Sequence, residues 1–430
     1  MIEIFDSIKK YNYWNGNVVE TGYERTSHIN KIFQYVGNKL IKVLVGQRRV
    51  GKSYILRQLA AGLIQNGIPA ENILYINKEY YELNAVQSAD DLQALYLEYH
   101  KTLKPKGKVY LFIDEIQYIN QWERFVNSHS QDFAQPCELF VSGSNANLLS
   151  TELATLLSGR YIEFKILPYS FSEYCGITGK KPDKEVYMSY LQSGALPELL
   201  NLQSVEMRRN YISAIKDTVM LRDIVKRYKV KDVKLLDDLF IYVVNNSGNI
   251  ISIKNIINYF ASGKRKTNYE TISSYLGYLE NSFLIHRAER YNIKGKETIS
   301  GNCKFYINDL GFYNYLYGGF GYGIGYLLEN AVYLDLVRAG YQVYVGTVKH
   351  KEVDFVALQG GKRIYFQVCY QLINKQTIER EYASLKNIDD NYPKYVVTMD
   401  DFRLSSNEGI EHINPWQVKD NFSSISVPSS

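Results

Sequence analysis

Short apolar runs mark three buried strands in the first 150 residues. Residues 40–45 (LIKVLV), 109–113 (VYLFI) and 139–141 (LFV) are almost entirely apolar, as is typical of parallel strands covered on both faces. After the first run, apolar residues recur at helical spacing at Ile55, Leu56, Leu59 and Leu63. Strands that alternate with a helix predict an α/β domain built on a parallel sheet.

The middle of the chain has a helical pattern. Apolar stripes predict three helices over residues 233–248, 251–262 and 268–285, and a strand-like stretch follows at residues 285–293. Three short helices and a hairpin are typical of a winged helix-turn-helix. The turn before the third helix, residues 263–266 (GKRK), either grips DNA phosphates or is a solvated turn of a structural lid. The second interpretation is favoured because the third helix lacks base-reading arginines.

The C-terminal third returns to an α/β pattern. It begins after a glycine-rich, loop-like stretch at residues 318–326. The predicted elements are a helix, three strands, a helix and a strand, at residues 327–340, 341–348, 351–358, 363–370, 377–386 and 394–399. This αβββαβ order has hairpin-like spacing between its first three strands.

Composition is that of a folded protein of two or three domains, with 430 residues, 46% hydrophobic and 22% charged. The net charge of +5 does not indicate a polyanion partner for the whole molecule. Four cysteines lie far apart, which argues against a zinc site or a disulfide framework. No run of 18 apolar residues and no secretory segment occurs, so we expect a cytoplasmic protein without a membrane partner.

The first strand leads into a phosphate-loop motif, Gly46-x-x-x-x-Gly51-Lys52-Ser53. Glycines let such a loop curl so that backbone N–H groups and the helix N-terminus face a phosphate. Lys52 is expected to reach the β- and γ-phosphates of ATP, and the Ser53 hydroxyl to complete the shell of a Mg²⁺ ion. The predicted nucleotide contacts comprise Gly46, Gln47, Arg48, Arg49, Val50, Gly51, Lys52, Ser53 and Tyr54.

The second strand ends in an acidic pair, Asp114-Glu115. Asp114 is placed to hold Mg²⁺ through water, and Glu115 to polarise the attacking water as a general base. The third strand precedes Ser142, Ser144 and Asn145, any of which could touch the γ-phosphate or the lytic water. Arg160 follows a glycine that closes a predicted helix. This arginine either neutralises a helix end or completes the phosphate site, in cis or from a neighbouring subunit.

Taken together, the segments GQRRVGKS, FIDEIQYI, VSGSNANLL and LLSGRYIEFKILPYSFSEY resemble prokaryotic AAA+-like P-loop ATPases over about the first 200 residues. The resemblance implies a Walker A loop at residues 46–53, a metal carboxylate at Asp114 and a catalytic base at Glu115. It further implies a sensor at Ser144 or Asn145 and a sensor or finger arginine at Arg160.

The rest of the chain is similar to the partner domain of that group, whose end resembles the PD-(D/E)XK, or restriction-endonuclease-like, fold. In an active nuclease of that kind, a helix glutamate, a strand aspartate and a carboxylate-x-lysine gather around Mg²⁺. This chain supplies Glu329 and Asp354 but places Gln367 and Cys369 at the last two positions. A neutral amide and a thiol lack the charge of the residues they replace. We therefore expect a degenerate nuclease-like domain.

These observations predict an AAA+-like ATPase domain at residues 1–200, a winged-helix-like domain at 201–295 and a nuclease-like domain at 296–430. The favoured function is Mg-ATP binding and hydrolysis that moves the C-terminal domains, as a regulatory or DNA-associated switch. A nucleotide-dependent adaptor or scaffold is the alternative, and an ATP-dependent nuclease is less favoured. Double-stranded DNA or a protein client and a homo-oligomeric state are left open as partners.

Overall fold

A computed structural model of the chain describes residues 2–146, 159–317, 323–349, 351–406 and 408–418. The chain divides into two units, Met1–Ile166 and Leu167–Ser430. The helix predicted to end at residues 158–159 and the first part of the glycine-rich stretch, residues 318–322, lie outside the described residues. The three-domain division at residues 200 and 295 stays a prediction.

The first unit is built on a five-stranded sheet with strand order β2-β3-β4-β1-β5. Its strands are β1 (Ile41–Val45), β2 (Ile73–Asn77), β3 (Val109–Asp114), β4 (Cys137–Gly143) and β5 (Tyr161–Lys165). Its helices are α1 (Ile2–Ile8), α2 (Thr26–Phe33), α3 (Lys52–Gln65), α4 (Ala89–Leu103) and α5 (Trp122–Gln131). All strand pairs are parallel, so the predicted parallel sheet is confirmed.

Burial explains why these segments form strands and helices. Every residue of β1 and β3 is buried, and the apolar stripe predicted on α3 faces the core. Lys42 is the charged residue among the apolar residues of β1, and its buried ammonium pairs with the Glu138 carboxylate on β4. Lys108 binds the other oxygen of that carboxylate at 2.7 Å. Pairing of this kind is what makes a charged residue tolerable inside a sheet.

The register of the sheet brings the candidate residues to one edge. Residue Val45 of β1 is opposite Gly143 of β4, and Ile113 of β3 is opposite Val141 of β4. Parallel strands end at the same edge of a sheet, where ligands commonly bind. The loop after β1, the acidic pair after β3 and the serines of β4 therefore lie side by side.

The second unit contains an eight-stranded sheet with order β13-β12-β11-β10-β9-β7-β8-β6. Its strands are β6 (Ile250–Ile251), β7 (Ile285–Asn292), β8 (Glu297–Ile307), β9 (Gln342–Val348), β10 (Lys351–Gln359), β11 (Lys362–Cys369), β12 (Lys394–Thr398) and β13 (Ile410–Ile413). β7 pairs with β8 antiparallel and with β9 parallel. The strands on either side of residue 295 thus belong to one sheet.

Helices of the second unit precede and cover that sheet. They are α6 (Phe171–Thr178), α7 (Lys184–Ser193), α8 (Val205–Thr218), α9 (Lys226–Tyr228), α10 (Val233–Asn245), α11 (Ile253–Ser262), α12 (Tyr269–Asn281), α13 (Ile324–Arg338) and α14 (Lys375–Lys386). A π-helical segment, Val219–Val225, joins α8 to α9, and another spans Tyr313–Tyr317.

Both units contain short 3-10 helices. They are Lys9–Tyr11, Trp14–Gly16, Ala70–Asn72, Tyr81–Leu83, Ile116–Tyr118, Pro197–Leu200 and Pro415–Gln417.

Two predicted element orders are present in the second unit. Three helices, α10 to α12, are followed by the β7–β8 hairpin, and α13 is followed by three strands, α14 and β12. The strand β13, which extends the sheet beyond β12, was not predicted. None of the described helices is both long and apolar enough to cross a bilayer.

Candidate functional site

The loop between β1 and α3 has the tight geometry that its two glycines permit. A Cβ atom on Gly46 would lie 2.2 Å from the Ile166 carbonyl oxygen, so only glycine fits there. Gly51 has a φ of +95° immediately before the first residue of α3, a conformation that favours glycine. The 14 residues of α3 therefore begin at the loop, with the N-terminus of the helix directed at the candidate phosphate position.

Lys52 is held inside this loop. Its ammonium donates hydrogen bonds to the carbonyl oxygens of Gly46 at 2.9 Å and Gln47 at 3.1 Å. It also lies 3.7 Å from the Glu115 carboxylate. The side chain is almost completely buried, so its charge acts in a poorly screened environment.

Asp114 is surrounded by hydrogen-bond donors from two strands, β2 and β4, and from helix α3. Its Oδ2 accepts from the Tyr75 hydroxyl at 2.9 Å and from the Asn77 amide at 3.0 Å. Its Oδ1 accepts from the Ser142 hydroxyl, and the Ser53 hydroxyl is a further donor. Burial and the nearby charge of Glu115 raise the pKa of Asp114. The two predicted Mg²⁺ ligands, Ser53 and Asp114, are thus neighbours, as a shared metal requires.

Glu115 is held in a left-handed backbone conformation, with φ 55° and ψ 46°. Its backbone N–H donates to the Ser142 hydroxyl at 3.1 Å, and the Gln117 amide donates to its Oε2. Burial acts to raise the pKa of Glu115, but the charges of Lys52 and Arg48 outweigh it and hold the pKa below its usual range. The carboxylate is therefore ionised near neutral pH, as a general base must be.

The serines of β4 lie where the sequence places a sensor. The strand β4 is located between β1 and β3, and the Ser144 hydroxyl accepts a hydrogen bond from Gln117 at 3.2 Å. Asn145 is buried beside it. Ser142, the first of the three polar residues that the sequence places here, has a hydroxyl that contacts both Asp114 and the backbone of Glu115. Ser144 follows β4 directly, two residues after Ser142, which is the spacing at which strand alternation puts side chains on one face.

The remaining loop residues divide into buried and exposed positions. Gln47, Arg48 and Val50 are buried. The Arg48 guanidinium donates to the Glu79 carboxylate at 2.8 Å and to the Tyr118 hydroxyl. Arg49 is exposed with a φ of 68°, and Tyr54 is 38% exposed. Arg48 thus ties the loop to the segments that follow β2 and β3.

Arg160 lies away from this site within the first unit. Its carbonyl oxygen accepts a hydrogen bond from the Ile41 N–H at 3.0 Å, which places it at the amino ends of β1 and β5. The phosphate loop is at the opposite end of β1, roughly 15 Å away at about 3.3 Å per residue. Arg160 is exposed. The parallel pairing of β5 with β1 therefore places the backbone of Arg160 at the end of β1 opposite the phosphate loop, and a role at the phosphate site, in cis or in trans, stays a prediction.

The second unit brings Glu329 of α13 and Asp354 of β10 together around a lysine that the sequence did not predict. The Lys304 ammonium on β8 lies 2.9 Å from Glu329, 2.7 Å from Glu352 and 3.7 Å from Asp354. Burial lowers the pKa of Lys304, but the charges of Glu329 and Asp354 outweigh it and hold the pKa above its usual value. Burial and the charge of Glu329 raise the pKa of Asp354 well above its usual value.

Gln367 and Cys369 are occupied by contacts within the protein. The Gln367 side-chain oxygen accepts from the Ser384 hydroxyl at 3.0 Å, and its amide donates to Glu381 at 3.1 Å. The Cys369 thiol donates to the Gln371 carbonyl at 3.2 Å, and burial raises its pKa to about 11. Over the described ranges, no three acidic, histidine or cysteine side chains are grouped to hold a metal ion.

Comparisons with known proteins find matches in both units. A family profile described as an AAA domain matches residues 38–175, and a domain of unknown function matches residues 184–322. An uncharacterized protein of Haemophilus influenzae is 37% identical over 395 residues, which cover 90% of this chain and 96% of that protein. An uncharacterized protein of Methanocaldococcus jannaschii is 31% identical over 87% of this chain and 84% of that one.

Solved structures give weaker similarity. A Walker-type ATPase of Pyrococcus abyssi aligns with a TM-score of 0.46 and 14% identity, covering 72% of this chain and 98% of that chain. The Aeropyrum pernix ORC1 protein in complex with DNA aligns with a TM-score of 0.33 and 13% identity, covering 70% and 93% of the two chains.

Proposed function

We propose that this chain, which belongs to the same family as its Haemophilus influenzae relative and carries an AAA domain at residues 38–175, binds and hydrolyses Mg-ATP. One observation carries the proposal. Lys52, Ser53, Asp114 and Glu115 converge at the carboxyl edge of one parallel sheet, with the hydrogen bonds and ion pair described above. Each of these residue types has the charge or hydroxyl that is required to bind phosphate, to bind Mg²⁺ or to activate water.

The loop residues are suited to binding the phosphates. Backbone N–H groups of the loop and the N-terminus of α3 present positive partial charge, and Lys52 adds a full charge. Its bonds to the Gly46 and Gln47 carbonyls are of the kind that a phosphate oxygen could replace. Ser53 and Asp114 would hold Mg²⁺, which supplies charge neutralisation for the phosphates when bound.

Glu115 is suited to accept a proton from the attacking water. It is kept ionised by Lys52 and Arg48 and oriented by Gln117 and Ser142. Gln117 bonds both Glu115 and Ser144, so the base and the sensor share one partner. We infer that a change at the γ-phosphate reaches Glu115 through this shared amide.

The output of the nucleotide state is proposed to be movement of the C-terminal domains, in a regulatory or DNA-associated switch. Assembly into a homo-oligomer would be required for Arg160 to act in trans. In the nuclease-like region, Lys304 already pairs with the carboxylates of Glu329 and Asp354, and Gln367 brings no charge. A hard cation would have to displace the ammonium, so we propose a scaffolding role for this cluster rather than DNA cleavage.

Binding and hydrolysis can be tested separately. Fluorescent ATP binding should be lost in Lys52→Ala and kept in Glu115→Gln, while phosphate release should fall in both. An adaptor that only binds nucleotide would bind ATP in a Lys52-dependent way and release no phosphate in any variant. That outcome would replace the ATPase proposal with the adaptor alternative.

A further inference from the structure

A groove of about 500 Å³ in the second unit is lined by two segments that are distant in sequence, residues 228–235 and 266–278. We call it the basic groove. The first segment follows α9, where the chain reverses at Lys229 with a φ of 52°. The second contains the turn before α12 and the exposed side of that helix.

Positive charge is concentrated around this groove. Residues 226–234 (KRYKVKDVK) and 264–270 (KRKTNYE) together carry eight cationic and two acidic side chains, a net charge of +6, whereas the whole chain has +5. The rest of the protein is therefore close to neutral. A local field of this kind attracts a polyanion even when the net charge of the molecule is small.

Internal ion pairs neutralise one of the two carboxylates. The Arg265 guanidinium lies 2.7 Å from Asp232 and also pairs with Asp238. Asp232 in addition caps α10 by accepting from the Leu235 N–H at 2.9 Å. Arg265 is thus structural, and Asp232 does not balance the neighbouring lysines.

Three exposed lysines remain available in the groove. Lys229, Lys231 and Lys266 line it, and they form no ion pair with any residue in the described part of the chain. The N-terminus of α12 is also part of the lining, and its Asn268 cap fixes the direction of the helix. Glu270 in the first turn of α12 offsets the partial positive charge of that helix end, so the positive field of the groove comes from the lysines.

The walls of the groove are rigid. The rings of Tyr228 and Tyr278 are stacked at 3.9 Å with an interplanar angle of 8°, and the Asn281 amide donates to the Tyr228 hydroxyl at 3.4 Å. Because these two rings stack on each other, they do not offer a pair of open faces to unpaired bases. Single-stranded nucleic acid is usually held by such open faces.

We infer that the basic groove binds the phosphate backbone of duplex DNA without reading its sequence. The free cations are lysines, which act as point charges on phosphate, whereas arginines usually read guanine edges. The helix α12 contains no arginine, and Arg265 is already paired. An acidic protein is the less favoured partner because the tyrosines of the lining are buried or stacked on each other, rather than open as the anchors of a protein interface are.

The inference is tested by the salt dependence of binding. The full chain is titrated into a labelled duplex of mixed sequence, and fluorescence anisotropy is followed between 50 and 200 mM NaCl, about the range in which phosphate contacts are resolved. In Lys229→Gln/Lys231→Gln/Lys266→Gln, we expect binding at least about tenfold weaker and a log-log salt slope reduced by about 0.9 per lysine lost.

Matched controls separate this site from general charge. Lys180→Gln/Lys181→Gln/Lys375→Gln removes three exposed lysines elsewhere in the second unit and should bind like the wild type. Arginine at positions 229, 231 and 266 should restore the salt slope. Thermal unfolding of each variant verifies that it is folded.

Equal weakening in both triple variants, or no binding of duplex by the wild type, overturns the inference. Tighter binding of single-stranded DNA or of polyglutamate than of duplex overturns the choice of partner. The inference does not depend on ATP hydrolysis, so Lys52→Ala should bind duplex normally. Absence of hydrolysis with intact DNA binding would mean that the ATPase proposal has failed. Absence of DNA binding with intact hydrolysis would mean that the inference about the basic groove has failed.

Discussion

The ammonium of Lys52 lies 3.7 Å from the carboxylate of Glu115, and both side chains are almost completely buried. This pair joins the phosphate loop to the end of the neighbouring acidic strand. It also lowers the pKa of Glu115 against the effect of burial. The residue proposed to bind phosphate therefore also keeps the proposed base ionised, so its loss should impair both binding and chemistry.

Ser142 should be a positioning residue for hydrolysis. Ser142→Ala removes a donor to Asp114 and an acceptor for the Glu115 N–H. Leaving such buried groups unpaired costs about 1–3 kcal/mol, so we expect kcat for ATP hydrolysis to fall about 10–100-fold. Ser142→Thr keeps the hydroxyl and should recover most of the rate. Steady-state phosphate release tests this, and an unchanged kcat in Ser142→Ala would remove Ser142 from the site.

Lys42 should be more important for stability than Lys108, although both bind Glu138. Lys42 is fully buried, whereas the Lys108 side chain is 33% exposed. Breaking a buried ion pair costs about 3–5 kcal/mol, so Lys42→Met should lower the free energy of unfolding by that amount in urea. Lys108→Met should cost clearly less. Equal losses would mean that burial does not set the strength of these pairs.

Lys304 should set how strongly the acidic cluster of the second unit makes stability depend on pH. In Lys304→Met the carboxylates of Glu329 and Asp354 lose their counter-ion. The pKa of Asp354 is raised in the folded state. The contribution of this carboxyl to stability is therefore greatest at low pH and is lost as pH rises through that pKa. The variant should therefore have a Tm that falls from pH 5 to pH 7.5 more steeply than that of the wild type. Parallel pH profiles would contradict this assignment.

The same cluster should not cut DNA. Plasmid incubated with the protein and Mg²⁺ or Mn²⁺ should stay supercoiled, because the ammonium of Lys304 occupies the space between the carboxylates and Gln367 adds no charge. Cleavage that disappears in Asp354→Ala would contradict this prediction. It would show that Lys304 takes the role that active nucleases give to a lysine at the position of Cys369.

His129 should make the first unit sensitive to acid. Burial lowers its pKa to about 4, whereas the unfolded value is about 6.5. The folded state favours the neutral form of His129. Its contribution to the free energy of unfolding is therefore present above pH 6.5 and is lost as pH falls toward 4. His129→Gln should reduce the loss of unfolding free energy between these pH values by up to about 3 kcal/mol. Identical pH dependence in urea titrations would contradict the prediction.

Local patterns predicted which residues meet at the carboxyl edge of the first sheet, because these residues are adjacent to strand ends in sequence. The glycines and Lys52 occur within eight residues, and Asp114-Glu115 directly follows an apolar run. Such a pattern also predicted the parallel sheet, since fully buried strands are continuous apolar runs.

Contacts that depend on strand pairing were not predictable in this way. Ser142 reaches Asp114 because of the register between β3 and β4. Lys304 is 25 residues from Glu329 and meets it only because β8 and α13 are neighbours in the fold. The position of Arg160 at the amino end of β1 likewise follows from the pairing of β5 with β1, which the sequence does not state.

ATP hydrolysis by the full chain, with and without duplex DNA, tests the central claim most directly. Lys101→Ala and Glu98→Gln, an ion pair on α4 away from the loop, are matched controls. We predict phosphate release by the wild type and both controls, and rates at least about 100-fold lower in Lys52→Ala and Glu115→Gln. Phosphate release that is absent from the wild type under both conditions, or that is unchanged by Lys52→Ala, would contradict the claim.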